Sequence, residues 1–174
     1  MKIKLKPVVA MLVAGLFAGR AAAADLTVTL TLPRIDTAEY HRPYVAIWLE
    51  DAARKDIRDI AVWYERDKAG AEGKKWLKDL RQWWRLSGRS QDEPADGISG
   101  ATRAVGTHTV RVPENGAALE GLAPGDYQVV VEAAREKGGH ELVRLPLTWP
   151  PVEPETVEGK GSHELGGIGV SLNP

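Results

Sequence analysis

Leu26-Thr27-Val28-Thr29-Leu30-Thr31-Leu32 alternates without a break between an apolar residue and a hydroxyl-bearing or β-branched one. Successive side chains of a strand point to opposite faces, so the spacing predicts a strand with the leucines and Val28 inward and the threonines outward. Pro33 ends it. Residues 43–51 predict a second strand, with Val45, Ile47 and Leu49 on one side and Ala46 and Trp48 on the other. Residues 56–65 predict a third, carrying Ile57, Ile60, Val62 and Tyr64. The short polar link Asp51-Ala52-Ala53-Arg54-Lys55 joins the last two as a hairpin.

Farther along, the period changes. Trp76, Leu77, Leu80, Trp83 and Trp84 form one apolar stripe at helical spacing, between Gly73 and Gly88. A helix over 74–86 is expected, its tryptophans packing against a sheet. Residues 88–102 are rich in Ser, Asp, Gly and Pro (Pro94 among them) and predict a loop. Residues 107–112 alternate again. Leu119-Glu120-Gly121-Leu122-Ala123-Pro124-Gly125-Asp126-Tyr127 then leads into the valine-rich Gln128-Val129-Val130-Val131. A Pro-Gly turn, a tyrosine and a valine-rich strand resemble the entry to a late strand of immunoglobulin-like and fibronectin-type folds. There the tyrosine hydroxyl bonds back to the preceding backbone. Gly138-Gly139 predicts a turn into a partner strand over 140–147, Trp149 to Pro154 a stiff connection, and 165–172 a final strand. The expectation is a mainly β chain: an antiparallel immunoglobulin/fibronectin-like β-sandwich with one inserted α-helix.

The N-terminus reads as an export signal. Lys2, Lys4 and Lys6 precede a short apolar run, and Ala22-Ala23-Ala24 offers small residues for cleavage before Asp25. Residues 1–24 are therefore read as a signal peptide and 25–174 as one domain. The run is too short to cross a bilayer, so a chain not embedded in the membrane is expected. No cysteine is present for a disulfide or lipid anchor, which fits a bacterial periplasm. The chain has 23 Lys and Arg against 24 Asp and Glu; four of the cations and none of the acids lie in 1–24, leaving −5 on the exported part. That charge argues against nucleic acid as a partner.

Asp96-Gly97-Ile98-Ser99-Gly100-Ala101-Thr102 carries the functional signal. Gly100 and Ala101 let another backbone approach. Asp96 and Ser99 can hold a turn through short side-chain bonds. Arg103 is adjacent, and Arg85 and Arg89 are near in sequence, to meet an anion. An ordinary polar turn accounts for the same residues. The four histidines show no metal-type spacing, and no Ser-His-Asp order or carboxylate pair stands out, so neither a metal site nor a catalytic residue is expected.

The motif, D-x-x-S-G-A-T, resembles the acceptor on which ApbE-type flavin transferases place FMN. The resemblance implies a phosphoester of FMN on Thr102, with Asp96, Ser99, Gly100, Ala101 and Arg103 shaping the site and Trp83, Trp84 or Tyr40 stacking on the flavin. The FAD-dependent transferase would supply the metal ion and the base. The wider chain, through residues 42–51, 96–102 and 131–139, resembles a family of periplasmic flavin-bearing proteins long known only as a domain of unknown function. Its members are encoded beside flavin transferases and PepSY-type membrane proteins. The same motif occurs in FMN-binding domains of ion-pumping quinone reductases, but Arg103-Ala104-Val105 departs from their continuation. The implied function is a periplasmic electron carrier rather than a stand-alone enzyme. A non-enzymatic immunoglobulin-like binding module is the alternative. A carrier needs Thr102 exposed at one end of the fold, and chain proximity suggests the helix beside it.

Overall fold

The computed structural model describes residues 24–92 and 95–174. The expected signal peptide, apart from Ala24, and Pro94 of the expected loop lie outside the described residues. Nine strands are described: β1 (Asp25–Leu32), β2 (Tyr44–Asp51), β3 (Ile57–Tyr64), β4 (Ser99–Ala101), β5 (Gly106–Val112), β6 (Gly125–Ala134), β7 (His140–Trp149), β8 (Glu155–Lys160) and β9 (Gly167–Asn173). They form a four-stranded sheet, β5-β1-β9-β8, and a five-stranded sheet, β4-β3-β2-β6-β7.

The two sheets share one core. Leu26, Val28, Leu30 and Leu32 of β1 are buried in the same cluster as Val45, Ile47 and Leu49 of β2 and Val129 and Val131 of β6. The alternation of β1 holds in the structure, its burial switching residue by residue. β2 is different: seven of its eight residues are buried, so its other face needs a cover too. A second cluster provides it, with Ala46, Trp48, Val62, Tyr64 and Val130 packed against Leu77, Leu80 and Trp83.

That second cover departs from the expected helix. A 3₁₀ segment spans Ala69–Asp79, and only Arg81–Leu86 (α1) is α-helical. Leu80, at φ −75° and ψ 73°, breaks the two apart. In a helix of three residues per turn, side chains three apart share a face. Leu77, Leu80 and Trp83 fit that spacing and are buried, while Trp76 falls off the stripe and is 46% exposed. Two carboxylates of the sheet hold the segment. Glu132, on β6 and fully buried, accepts the backbone N–H of Gln82 at 2.9 Å and of Trp83 at 2.8 Å. Asp59, on β3, accepts the Trp83 indole N–H at 2.9 Å and the Ser87 hydroxyl. Gly73 lies against the backbone of Glu65, where a Cβ would sit 2.0 Å from the carbonyl oxygen, so only glycine fits.

Pairing is also less uniform than expected. β4 runs parallel to β3, so the five-stranded sheet is mixed. The chain leaves the end of β3, crosses the outer face as the helical cover, and returns along the edge in the same direction, as a parallel pair requires. The tyrosine turn does form: the Tyr127 hydroxyl donates to the Ala123 carbonyl at 2.9 Å, at the entry to β6.

One end of the sheets is tied across by Glu141 of β7. Its carboxylate accepts backbone N–H groups from Ser162 (2.5 Å), His163 (3.1 Å), Glu164 (2.8 Å) and Leu165 (2.9 Å), and the Ser162 hydroxyl at 2.9 Å. Burial works to raise its pKa, but the Ser162, Leu165 and His163 N–H groups with the Ser162 hydroxyl outweigh it and bring the carboxyl down to about 2. A folded pKa below the unfolded 4.5 stabilises the fold above pH 4.5, and the gain is lost as pH falls through about 2. Glu141→Gln is expected to cost about 1.5–3 kcal/mol at pH 7. Urea melts at stepped pH should show the gap between variant and wild type closing from pH 4.5 toward 2. A gap independent of pH would refute this account.

Candidate functional site

The motif begins as a turn. The Ser99 hydroxyl accepts the Ala95 N–H at 2.9 Å, and the Ser99 N–H donates to the Ala95 carbonyl at 2.9 Å. Gly97 sits at φ +75°, in the left-handed region that glycine tolerates best. Asp96 is exposed and makes no hydrogen bond among the described residues, so Ser99 rather than Asp96 closes the turn.

The next residues are pinned to the sheet edge. Ser99, Gly100 and Ala101 lie opposite Val62, Trp63 and Tyr64. The ladder extends one bond beyond each end, Val62 N–H to the Ile98 carbonyl at 3.0 Å and Thr102 N–H to the Tyr64 carbonyl at 3.2 Å. Gly100 lies over the Trp63 indole, where an added Cβ would approach Cδ1 to 3.1 Å. Arg66 Nη1 donates to the Ser99 carbonyl at 2.9 Å. After Thr102, His108 Nε2 lies 2.7 Å from the Ala104 carbonyl and ties the connection to β5.

Thr102 therefore stands one residue beyond Ala101, the partner of the last residue of β3, at the sheet end where β2 and β7 begin and β6 finishes. It is half-buried, and its hydroxyl has no hydrogen-bond partner among the described residues. A surface groove holds it, lined also by Ala101, Arg42, Glu65, Arg66, Asp67 and Lys68. Lys68 is paired with Glu65 at 3.0 Å. Arg42, Arg66 and Arg103 have no ion pair among the described residues. Chemically, this is a reachable hydroxyl in a groove with three cations, Arg42, Arg66 and Lys68, against the two carboxylates Glu65 and Asp67, a setting able to take the single charge of a phosphoester. A second groove, between β4 and β5, takes in Gly97, Gly100, Arg103, His108 and Arg111 but not Thr102. There the Arg103 guanidinium lies 5.2 Å from the Trp63 ring centroid and His108 meets the same indole edge-on at 5.7 Å.

The expected residues thus divide. Asp96, Ser99, Gly100, Ala101, Thr102 and Arg103 are brought together on one edge. Trp83 and Trp84 are not: Trp83 is fully buried in the outer core with its N–H on Asp59, and Trp84 is half-buried 6.3 Å from it. Neither lines the Thr102 groove, nor do Arg85, Arg89 or Tyr40. The Tyr40 ring faces the Arg135 guanidinium instead, at 5.9 Å. Sequence reading missed Arg42, Arg66 and Lys68, which arrive from segments flanking β2 and β3. Only the pairing of the motif with β3 would have found them.

The contact between Gly100 and Trp63 can be tested. Gly100→Val forces a branched side chain into the indole and is expected to cost about 1–3 kcal/mol, the range for overpacking. It should lift β4 from the edge and speed tryptic cleavage at Arg89 and Arg103. Gly100→Ala should show a smaller effect. Unchanged cleavage in the valine variant would rule out the pinning.

Among the described residues, no helix is long and apolar enough to cross a membrane. No curated protein and no solved structure matches the chain. A family model described as "Predicted periplasmic protein (DUF2271)" matches residues 25–167, so the chain belongs to that family of periplasmic proteins.

Proposed function

We propose that this chain is a periplasmic electron-transfer protein that carries FMN through a phosphoester on Thr102. One observation carries the reading: the last residue of the motif presents an unpartnered, half-exposed hydroxyl beside Arg42 and Arg66, on a backbone held from both sides. Those residues fit the group. The diester left after attachment has one negative charge; Arg42 has no ion pair among the described residues, and Arg66, which spends Nη1 on the Ser99 carbonyl, keeps further N–H groups to meet it.

An FAD-dependent flavin transferase installs the group. Thr102 Oγ1 bonds to the FMN phosphorus of FAD, the pyrophosphate P–O bond to AMP breaks, and the hydroxyl proton passes to the transferase. The acceptor's part is to present the hydroxyl. The flavin, once attached, supplies the electron chemistry, and the protein tunes access and potential. A PepSY-type membrane protein is the proposed redox partner, and the chain is a carrier rather than an enzyme acting alone.

The proposed scaffold is an immunoglobulin/fibronectin-type sandwich. The hydrogen bond of Tyr127 to Ala123 supports that reading, as does the shared core between the two sheets. Loops at one end of such a scaffold are common places for function.

Co-expression of the full chain with an active flavin transferase, followed by intact mass, tests the attachment. The expected gain is one FMN less a water, abolished by Thr102→Ala and kept in Val152→Ala, at an exposed position away from the groove. An unmodified wild-type mass would sink the proposal and leave a colourless binding module as the reading.

A further inference from the structure

We infer that the ring of a flavin tethered at Thr102 rests in the cleft beside Trp76. This rests on attachment at Thr102. The cleft lies at the same end of the sheets, lined by Trp76, Tyr44, His41, Arg42, Glu65 and Lys137, with others. Arg42 and Glu65 line the Thr102 groove as well, so the two depressions adjoin at those side chains. On this reading a ribityl arm leaving Thr102 passes Arg42, the cation shared by both depressions, to reach the cleft.

The lining suits an isoalloxazine. Trp76 is 46% exposed, a large indole left in water by a fold that buries Trp48, Trp63 and Trp83. Flat aromatic rings gain from stacking, and an exposed indole is a surface for it. Lys78 Nζ lies over the ring, 5.8 Å from its centroid, but both residues are exposed, so this lysine can swing into solvent; Tyr44 forms part of the cleft wall. Burial pushes the Tyr44 phenol up to about 12, so it remains a neutral donor, bonded to the Gly73 carbonyl at 3.1 Å. Most cations of the cleft are already compensated. Lys137 pairs with Glu39 at 2.8 Å and Arg135 with Glu164 at 2.8 Å. Arg42 has no such partner among the described residues. It stands where phosphate and ring would meet.

The groove on the other side of the motif is a poorer host. Its indole, Trp63, is only 3% exposed, with Arg103 over its face and His108 at its edge. A flavin would have to displace Arg103 to stack there, and Thr102 does not line that groove.

The test uses the flavinylated full chain. Stacking on an indole quenches flavin emission and shields the ring from iodide. Trp76→Ala, with intact mass confirming full attachment, is expected to raise flavin emission several-fold and to steepen iodide quenching. A far-side control, Val152→Ala, should leave both unchanged. Trp76 is at the surface, so its loss should not unfold the chain; a circular dichroism spectrum checks that, and Trp76→His is the fallback if it does. Full attachment with emission and iodide quenching equal to wild type would overturn the docking while leaving attachment intact. No attachment in the wild type would overturn the attachment itself, and the docking with it.

Discussion

The structure turns on the two-faced burial of β2 and β6. A strand with one apolar face needs one partner layer; a strand buried on both faces needs two. β2 places Val45, Ile47 and Leu49 against the four-stranded sheet and Ala46 and Trp48 against the helical segment. The second layer is a short and broken piece of helix. Packing alone holds such a segment weakly, because short helices are marginal without tertiary support. Glu132 and Asp59 compensate. Their carboxylates reach out of the sheet and take the backbone of Gln82 and Trp83 and the Trp83 indole. A buried carboxylate is costly unless it is bonded, and here the bonds are the attachment of the layer. His140 Nε2, 2.5 Å from Glu132, closes the same network from β7.

This requirement also delivers the candidate site. To cover the outer face, the chain must cross the sheet from the end of β3 and come back. The return leaves it at the free edge of β3, running parallel to it. Arg66, at the start of the crossing, bonds the Ser99 carbonyl at its end. The loop that leaves β3 and the loop that enters β2 therefore meet the motif at one corner. The groove around Thr102 follows from the cover that β2 demands.

Much of this was readable from the chain. Strict alternation marked β1, and β2, β3, β6 and β7 were visible as apolar runs with turn residues between them. The tyrosine turn was visible too, because its bond is local, from Tyr127 to a carbonyl four residues back. What failed was non-local or chemically silent. β8 reads Glu-Thr-Val-Glu-Gly-Lys, an edge strand with one apolar side chain, so no alternation betrays it. β4 reads Ser-Gly-Ala and is a strand only because β3 offers an edge. Leu77, Leu80 and Trp83 lie three apart, a spacing that α and 3₁₀ helices both accommodate, and nothing in Leu80 announces the break. The motif was contiguous and could be found whole. Its cations could not, since Arg42 and Arg66 are far from Thr102 in sequence. Trp83 and Trp84 were near in sequence and are elsewhere in space, for the same reason.

The attachment proposed at Thr102 sets two opposed demands. The residue must be held firmly enough to orient what it carries, and it must be reachable by another protein. The edge position reconciles them. The backbone of Thr102 is bonded to Tyr64, and the residues before it are locked between Trp63, Val62 and Arg66. Among the described residues, the hydroxyl takes no part in that network. A group added at Oγ1 therefore breaks no hydrogen bond and displaces no core side chain. Thr102 lies just past the paired positions of β4. Had it stood a few residues later, it would have lost the backbone anchor. Its place one residue beyond the last paired position gives a fixed main chain and a side chain outside the ladder, so the proposed modification would not compete with folding.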